Sequence, residues 1–145
     1  MHSGLEVEKL SHRKVCRPPD LHEHEIRLTL IGWADPFNAP TWPIDQHNEA
    51  KAIYGEAQLN DFWRLFMVPG GGHCGPAASY PQVPGKYHSL EALIPWVEDG
   101  VAPEYILATE PSDGSNRTRR LCPYPQHAVL EGQNADQYDA YTCID

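Results

Sequence analysis

Two apolar segments flank a polar, helix-favouring segment near the centre of this sequence. Residues 26–31 and 62–68 are short runs rich in aliphatic and aromatic side chains, which are typical of buried strands. Residues 44–59 lie between them, are rich in Ala, Glu, Gln and Lys, and predict a partly exposed helix. A strand, a helix and a second strand predict a βαβ unit with parallel strands.

The pattern after the second strand is less regular. Residues 75–86 are rich in proline and glycine and predict a loose connection. Apolar residues then recur at helical spacing from Ser89, which suits an N-cap, to Gly100, which suits the position after a helix. Residues 105–108 predict a short strand, and residues 117–145 are interpreted as loops.

Composition excludes some classes of partner. The chain has 145 residues, about the length of one domain, and a formal net charge of −9. That charge disfavours nucleic acid and anionic membranes, which attract basic surfaces. Residues 1–25 are polar and show neither periodicity nor a signal peptide, so we interpret them as a poorly ordered lead before a domain at residues 26–145.

Two residues stand where catalytic groups gather in α/β sheets. Asp35 follows the first predicted strand, and His73 follows the second strand across three glycines. The carboxyl ends of parallel strands share one edge of a sheet, so these side chains are expected to lie close together. An acid that orients an imidazole forms two thirds of a hydrolytic triad. The plainer alternatives are a turn aspartate bonded to its own backbone and a surface histidine.

Four blocks of sequence resemble the tannase and feruloyl esterase family. They are Gly-Trp-Ala-Asp-Pro at 32–36, Val-Pro-Gly-Gly-Gly-His-Cys-Gly at 68–75, Leu-Ile-Pro-Trp-Val-Glu-Asp-Gly-Val-Ala-Pro at 93–103 and Arg-Thr-Arg-Arg-Leu-Cys-Pro-Tyr-Pro-Gln at 117–126. Their order and spacing are similar to those of the family's C-terminal part. The resemblance covers the chain from about residue 26 to the end and leaves residues 1–25 unmatched.

The resemblance implies a fold and a chemistry. The family consists of secreted serine esterases with an α/β-hydrolase core and a large lid, which cleave feruloyl or galloyl esters without a cofactor. It implies the C-terminal portion of an α/β-hydrolase fold, with parallel strands, flanking helices, an incomplete sheet and no lid. It also implies that Asp35 is the triad acid and His73 the base.

The resemblance also implies that one catalytic group is missing. In the family the nucleophilic serine lies far upstream, next to a cysteine that pairs with the cysteine beside the catalytic histidine, which is Cys74 here. Only Ser3 and Ser11 precede Asp35, and neither lies in a glycine-flanked elbow. We therefore expect a fragment that is inactive alone, and marginally folded because one side of its sheet is open.

The cysteines and a glycosylation sequon bear on localisation. The resemblance implies a disulfide between Cys122 and Cys143, while Cys74 and Cys16 have no assigned partners, since four cysteines allow three connectivities. An even cysteine count and the sequon that begins at Asn116 suit an extracellular protein.

Two other functions stay open at this stage. The chain is alternatively a non-catalytic remnant that binds aromatic esters or a partner through three aromatic residues: Trp33, Trp42 and Tyr80. A third hypothesis is metal binding through residues near the N-terminus, with His73 as a further ligand: Cys16, His22 and His24.

Overall fold

A computed structural model describes residues 25–145 of the chain. The described part contains strands, α-helices and one short 3₁₀ helix. In chain order they are β1 (Arg27–Gly32), α1 (Thr41–Tyr54), α2 (Glu56–Phe62), β2 (Trp63–Val68), β3 (Pro84–Tyr87), α3 (Ser89–Asp99), β4 (Ile106–Pro111), β5 (Arg119–Leu121), β6 (His127–Leu130), the 3₁₀ helix (Tyr138–Ala140) and β7 (Tyr141–Ile144).

Strands β1 and β2 form a parallel pair that is connected through α1 and α2. The register runs from Arg27 opposite Trp63 to Gly32 opposite Val68, so both strands end at the same edge. The predicted βαβ unit is therefore confirmed. The loops that follow the two strands leave from one edge, and this edge carries the candidate site.

The remaining strands are antiparallel. Strands β3, β4 and β5 form one sheet in that order, and β6 pairs with β7. The free edge of β2 is covered by the segment after β5, where the Tyr124 amide donates to the Leu65 carbonyl at 2.7 Å. Among the described strands, β1 pairs with β2 alone, so its other edge has no strand partner within residues 25–145.

The main core lies between the parallel pair and the three-stranded sheet. Phe66 is fully buried at its centre, and burying such a side chain stabilises a fold by about 1.5–3 kcal/mol. The other buried members of this core come from β2, β4 and β5: Val68, Ile106, Ala108 and Leu121. The core thus fixes the strand whose end carries the histidine loop.

Helix α3 is apolar on two faces. Trp96 is 2% exposed and points inward, whereas the three aliphatic residues Leu90, Ile94 and Val97 are exposed. Val101, just beyond the end of the helix, is exposed as well. Among the described helices, none has the length and apolar character needed to cross a bilayer.

The helix boundaries differ from the sequence prediction in three places. The segment predicted as one helix over residues 44–59 begins earlier, at Thr41, and is divided by Gly55, whose φ of 79° is incompatible with a continuous helix. Helix α3 begins at Ser89 itself with His88 as the N-cap, so the prediction of Ser89 as the cap is wrong. Gly100 ends α3 in the left-handed conformation, as predicted.

The interpretation of residues 117–145 as loops is wrong. Strand β5 pairs with β4 with Ile106 opposite Leu121, and β6 and β7 pair in register from His127–Ile144 to Leu130–Tyr141. Part of the predicted loose connection is also a strand, because β3 pairs along β4. These pairings are non-local, so local composition did not reveal them.

Candidate active site

The turn after β1 places Asp35 at the edge of the parallel pair. Its backbone amide donates to the Gly32 carbonyl at 3.2 Å. Its Oδ1 atom accepts hydrogen bonds from the backbone amides of Phe37 at 2.8 Å and Asn38 at 3.1 Å. Asp35 is therefore a turn aspartate bonded to its own backbone, as the plainer reading of the sequence held. The same bonds orient Oδ2 away from the turn.

The glycine loop after β2 packs directly on the β1 turn. The Gly71 carbonyl accepts a hydrogen bond from the Ala34 amide at 2.9 Å, and the Val68 carbonyl accepts one from the Trp33 amide at 3.0 Å. A Cβ atom at Gly32 would lie 2.0 Å from the Gly71 carbonyl oxygen. This close approach of two backbones requires glycine at position 32 and holds the two loops together.

Asp35 and His73 meet at this junction. Asp35 Oδ2 lies 2.9 Å from His73 Nδ1. The Asp35 side chain is 4% exposed, while the His73 side chain is 46% exposed. A sheltered carboxylate therefore holds an imidazole that remains accessible. The structure brings together the acid and the histidine that the sequence singled out.

Hydrogen bonds keep the Asp35 carboxyl ionised. Burial of the group favours its neutral form, but His73, the amides of Phe37 and Asn38 and the Asn38 side chain all donate to the carboxylate. Together these donors hold the pKa of Asp35 well below its usual range. An ionised acceptor 2.9 Å from Nδ1 requires a proton on Nδ1, which leaves the Nε2 lone pair of a neutral ring unprotonated.

A cavity of about 460 Å³ opens beside the pair. Its lining includes both Asp35 and His73, together with Cys74, Tyr87 and Ser89. Within residues 25–145, the polar contacts of the His73 ring are confined to Nδ1, which lies near Asp35 Oδ2 and the side-chain nitrogen of Asn38. The Nε2 atom is therefore available to a group that enters the cavity.

One exposed aromatic side chain contacts the pair, and three others lie on the segments that follow β1 and β2. Phe37 is 78% exposed and packs edge-on against the His73 ring, with centroids 5.3 Å apart. Trp33 follows β1 directly, Trp42 lies in the first turn of α1, and Tyr80 packs near Gly70; all three are exposed. Sequence analysis named these three and missed Phe37, whose position two residues after Asp35 was the available signal.

Asn38 is a second residue that sequence analysis missed. Its side-chain nitrogen lies 3.3 Å from Asp35 Oδ2 and 3.2 Å from His73 Nδ1. Asparagine three residues after a turn aspartate is common in loops, so the sequence carried no specific signal for this contact.

The described cysteines fall into two environments. Cys122, just after β5, and Cys143, on β7, are joined by a disulfide with their Cα atoms 5.5 Å apart. Cys74 is a free, exposed thiol with a φ of 57°, in the left-handed region. Cys16 lies outside the described residues, so its partner, which the sequence left unassigned, stays unassigned.

Metal binding finds no support in the described part of the chain. Between residues 25 and 145, no three His, Cys, Asp or Glu side chains converge as metal ligands. Cys16, His22 and His24, which the metal hypothesis invoked, lie outside the described residues.

Solved structures share the fold of this chain. The structure resembles an esterase from Aspergillus oryzae, with a TM-score of 0.66 and 25% identity over 81% of this chain and 27% of that chain. It also resembles tannin acyl hydrolase from Aspergillus niger, with a TM-score of 0.66 and 24% identity over 81% of this chain and 22% of that one, which bears on the fold alone.

Curated relatives show similar coverage. The chain is 36% identical to an uncharacterized esterase of Xanthomonas campestris over 81% of its own length and 26% of the relative's. It is 31% identical to feruloyl esterase C of Talaromyces stipitatus over 81% of its length and 25% of the relative's. The chain thus spans about a quarter of the length of the curated relatives it matches.

The fold and its solved neighbours define part of an α/β domain of the α/β-hydrolase type. The family model described as "Tannase and feruloyl esterase" matches residues 22–144. The chain belongs to the tannase and feruloyl esterase family, a family of ester hydrolases.

Proposed function

We propose that this chain supplies the acid and the histidine of a serine esterase that cleaves esters of phenolic acids. The observation that carries the proposal is the 2.9 Å contact between Asp35 Oδ2 and His73 Nδ1, beside a cavity that the histidine lines. Names of relatives that include feruloyl esterases and a tannin acyl hydrolase support the substrate class. On this proposal the protein acts outside the cell on feruloyl or galloyl esters.

In the proposed mechanism Asp35 stays ionised and accepts a hydrogen bond from the protonated Nδ1 of His73. Nε2 then removes the proton of a serine hydroxyl as that oxygen attacks the ester carbonyl, which gives a tetrahedral intermediate. The resulting imidazolium is stabilised by Asp35. It returns the proton to the leaving alkoxide as the carbon–oxygen bond of the ester breaks. A water molecule then attacks the carbonyl of the acyl-enzyme while Nε2 removes its proton. The imidazolium returns that proton to the serine oxygen as the carboxylic acid is released.

The nucleophile is proposed to lie outside residues 25–145. Ser89 lines the cavity, but the polar contacts of His73 within the described residues are with Asp35 and Asn38. Cys74 and Ser79 are the alternatives within this range, as an exposed thiol beside the histidine and an exposed hydroxyl in the same loop.

A chimera tests the proposal. Residues 25–145 replace the matching segment of feruloyl esterase C from Talaromyces stipitatus, and hydrolysis of methyl ferulate is measured. We expect an active chimera whose kcat falls on the order of 10⁴-fold or more with His73→Ala or Asp35→Asn. The matched control is His127→Ala, which removes an exposed histidine on β6 and leaves kcat unchanged.

The outcomes separate the parts of the proposal. A chimera that remains active with His73→Ala would overturn the assigned base. The unmodified chain alone is expected not to hydrolyse methyl ferulate. Hydrolysis by that chain, lost in His73→Ala, would place the nucleophile inside it, and Cys74→Ala and Ser79→Ala would then identify the group.

A further inference from the structure

The Asn38 side chain contacts both members of the acid–histidine pair at once. Its nitrogen lies 3.3 Å from Asp35 Oδ2 and 3.2 Å from His73 Nδ1, atoms that are themselves 2.9 Å apart. Its backbone amide donates to the other carboxylate oxygen, Oδ1, at 3.1 Å. One residue thus bonds to both oxygens of the acid and touches the ring nitrogen that the acid holds.

Chemistry decides how these contacts are made. The amide oxygen of Asn38 would be repelled at 3.3 Å from an ionised carboxylate oxygen, so the nitrogen belongs in that position. Since Nδ1 carries the proton that it donates to Asp35, it cannot also accept one from Asn38. The 3.2 Å contact is therefore an approach of two donors that converge on the same oxygen.

We infer that Asn38 is a positioning residue that shares Asp35 Oδ2 with His73 and thereby weakens the hydrogen bond between the carboxylate and the imidazole. This inference rests on the proposed function for its catalytic meaning. A donor beside Nδ1 divides the acceptor capacity of Oδ2 and places a partial positive charge next to the ring, and both effects disfavour the imidazolium. The ring therefore returns its proton more readily to a leaving group.

The sign of the effect distinguishes this role from a structural one. If the Asn38 side chain only held the loop in place, its loss would weaken the Asp35–His73 contact, and the ring would lose affinity for a proton. If the side chain competes for Oδ2, its loss strengthens that contact, and the ring gains affinity for a proton.

Titration of the His73 ring by NMR in the chain itself tests the inference. Asn38→Leu keeps the size of the side chain and removes the donor. We expect the proton affinity of His73 to rise about fivefold, the factor that one ordinary hydrogen bond is worth. Asn38→Asp places a carboxylate there instead, and the rise should be at least about tenfold. Cys74 and Tyr87, the other titratable groups that line the cavity with the pair, are unchanged in both variants.

Controls make each outcome decisive. Asn48→Leu makes the same change at an exposed position of α1 and should leave the His73 titration unchanged. Backbone amide spectra establish that each variant is folded. Asn38→Ala, which also removes the donor and adds no charge, carries the test if the leucine variant is unfolded. An unchanged or reduced proton affinity in a folded Asn38 variant would overturn the inference.

Because the titration needs no turnover, its result is separate from that of the ester hydrolysis assay. An inactive chimera with the expected titration shifts would reject the proposed function and retain the interaction. An active chimera without the titration shifts would retain the proposed function and reject the inferred interaction.

Discussion

The two ends of strand β2 use the same residue type in opposite ways. Beyond its carboxyl end, His73 is half exposed and bonded to a carboxylate. At its amino end, His47 of α1 is 3% exposed, and neither ring nitrogen has a hydrogen-bond partner within the described residues. The His73 imidazole is held by a hydrogen bond to a ring nitrogen, whereas the His47 imidazole is held by packing against its ring.

Aromatic rings surround the second histidine. The His47 ring packs edge-on against Trp63 at 5.2 Å and against Tyr124 at 5.6 Å between centroids. Trp63 in turn donates to the Thr29 hydroxyl at 3.1 Å and lies 4.1 Å below the Arg27 guanidinium. Burial, with a smaller contribution from Lys51, lowers the pKa of His47, so the ring is neutral in the folded protein.

The difference shows how one strand separates chemistry from packing. At the carboxyl end, the histidine is hydrogen-bonded and its ring remains accessible. Aromatic burial lies at the amino end and stabilises the strand. Changes at the two ends should therefore alter different properties.

The largest effect on folding is expected at the amino end. Trp63→Ala removes a ring that is 3% exposed and leaves His47 without its main contact. We expect the free energy of unfolding to fall by about 3–5 kcal/mol, as measured by urea denaturation of the chain. In the chimera, the kcat of the molecules that remain folded should be unchanged. A loss of kcat in folded protein would show that the two ends are coupled.

Gly32→Ala, at the carboxyl end of the neighbouring strand β1, should reduce both the stability of the fold and the activity of the chimera. The added Cβ meets the Gly71 carbonyl, so the two loops must separate. We expect a loss of about 1–3 kcal/mol in the free energy of unfolding, together with a reduced kcat in the chimera because Asp35 and His73 move apart. Gly75→Ala, where an added Cβ has no neighbour within 4 Å, is the matched control. Equal effects of both substitutions would refute the importance of the close approach.

The pH dependence of stability should divide into two windows. The folded pKa of His47 lies below the ordinary value of 6.5, so the unfolded state binds its proton first, and stability is lost as pH falls from 6.5 towards that lower value. The slope is at most about 1.4 kcal/mol per pH unit. The folded pKa of Asp35 lies below 3.8, so its contribution is lost only below pH 3.8.

Variants assign the two windows. In urea titrations, His47→Phe should remove the loss of stability just below pH 6.5 and leave the loss below pH 3.8. Asp35→Asn should remove the loss below pH 3.8 and leave the loss just below pH 6.5. A slope below pH 6.5 that persists in His47→Phe would mean that another histidine is responsible.

Much of the central fold follows from local pattern. The apolar runs identified β1 and β2 because a buried parallel strand is apolar on both faces. The position of Asp35 and His73 just after these strands then placed them at one edge. The family was also predictable from the sequence, because the glycine loop and the blocks after it resemble those of the family in residues and spacing.

Other features depend on contacts that no local pattern encodes. Strand β5 reads as a polar loop because its two arginines precede a single core residue, Leu121, and pairing with β4 makes it a strand. His47 reads as an exposed helical residue, and only the packing of Trp63 and Tyr124 buries it. The role inferred for Asn38 likewise depends on a distance between two loops.

The close approach of Gly32 and Gly71 has a consequence for how this site can evolve. The geometry of Asp35 and His73 is set largely by backbone contacts between the two loops rather than by the side chains around them. The exposed ring of Trp33 can therefore be exchanged for other side chains with little effect on the pair, whereas Phe37 packs against His73. On the proposed function, such a junction separates the choice of ester from the geometry of the acid–histidine pair, so substitutions at exposed positions can change ester preference without moving the pair.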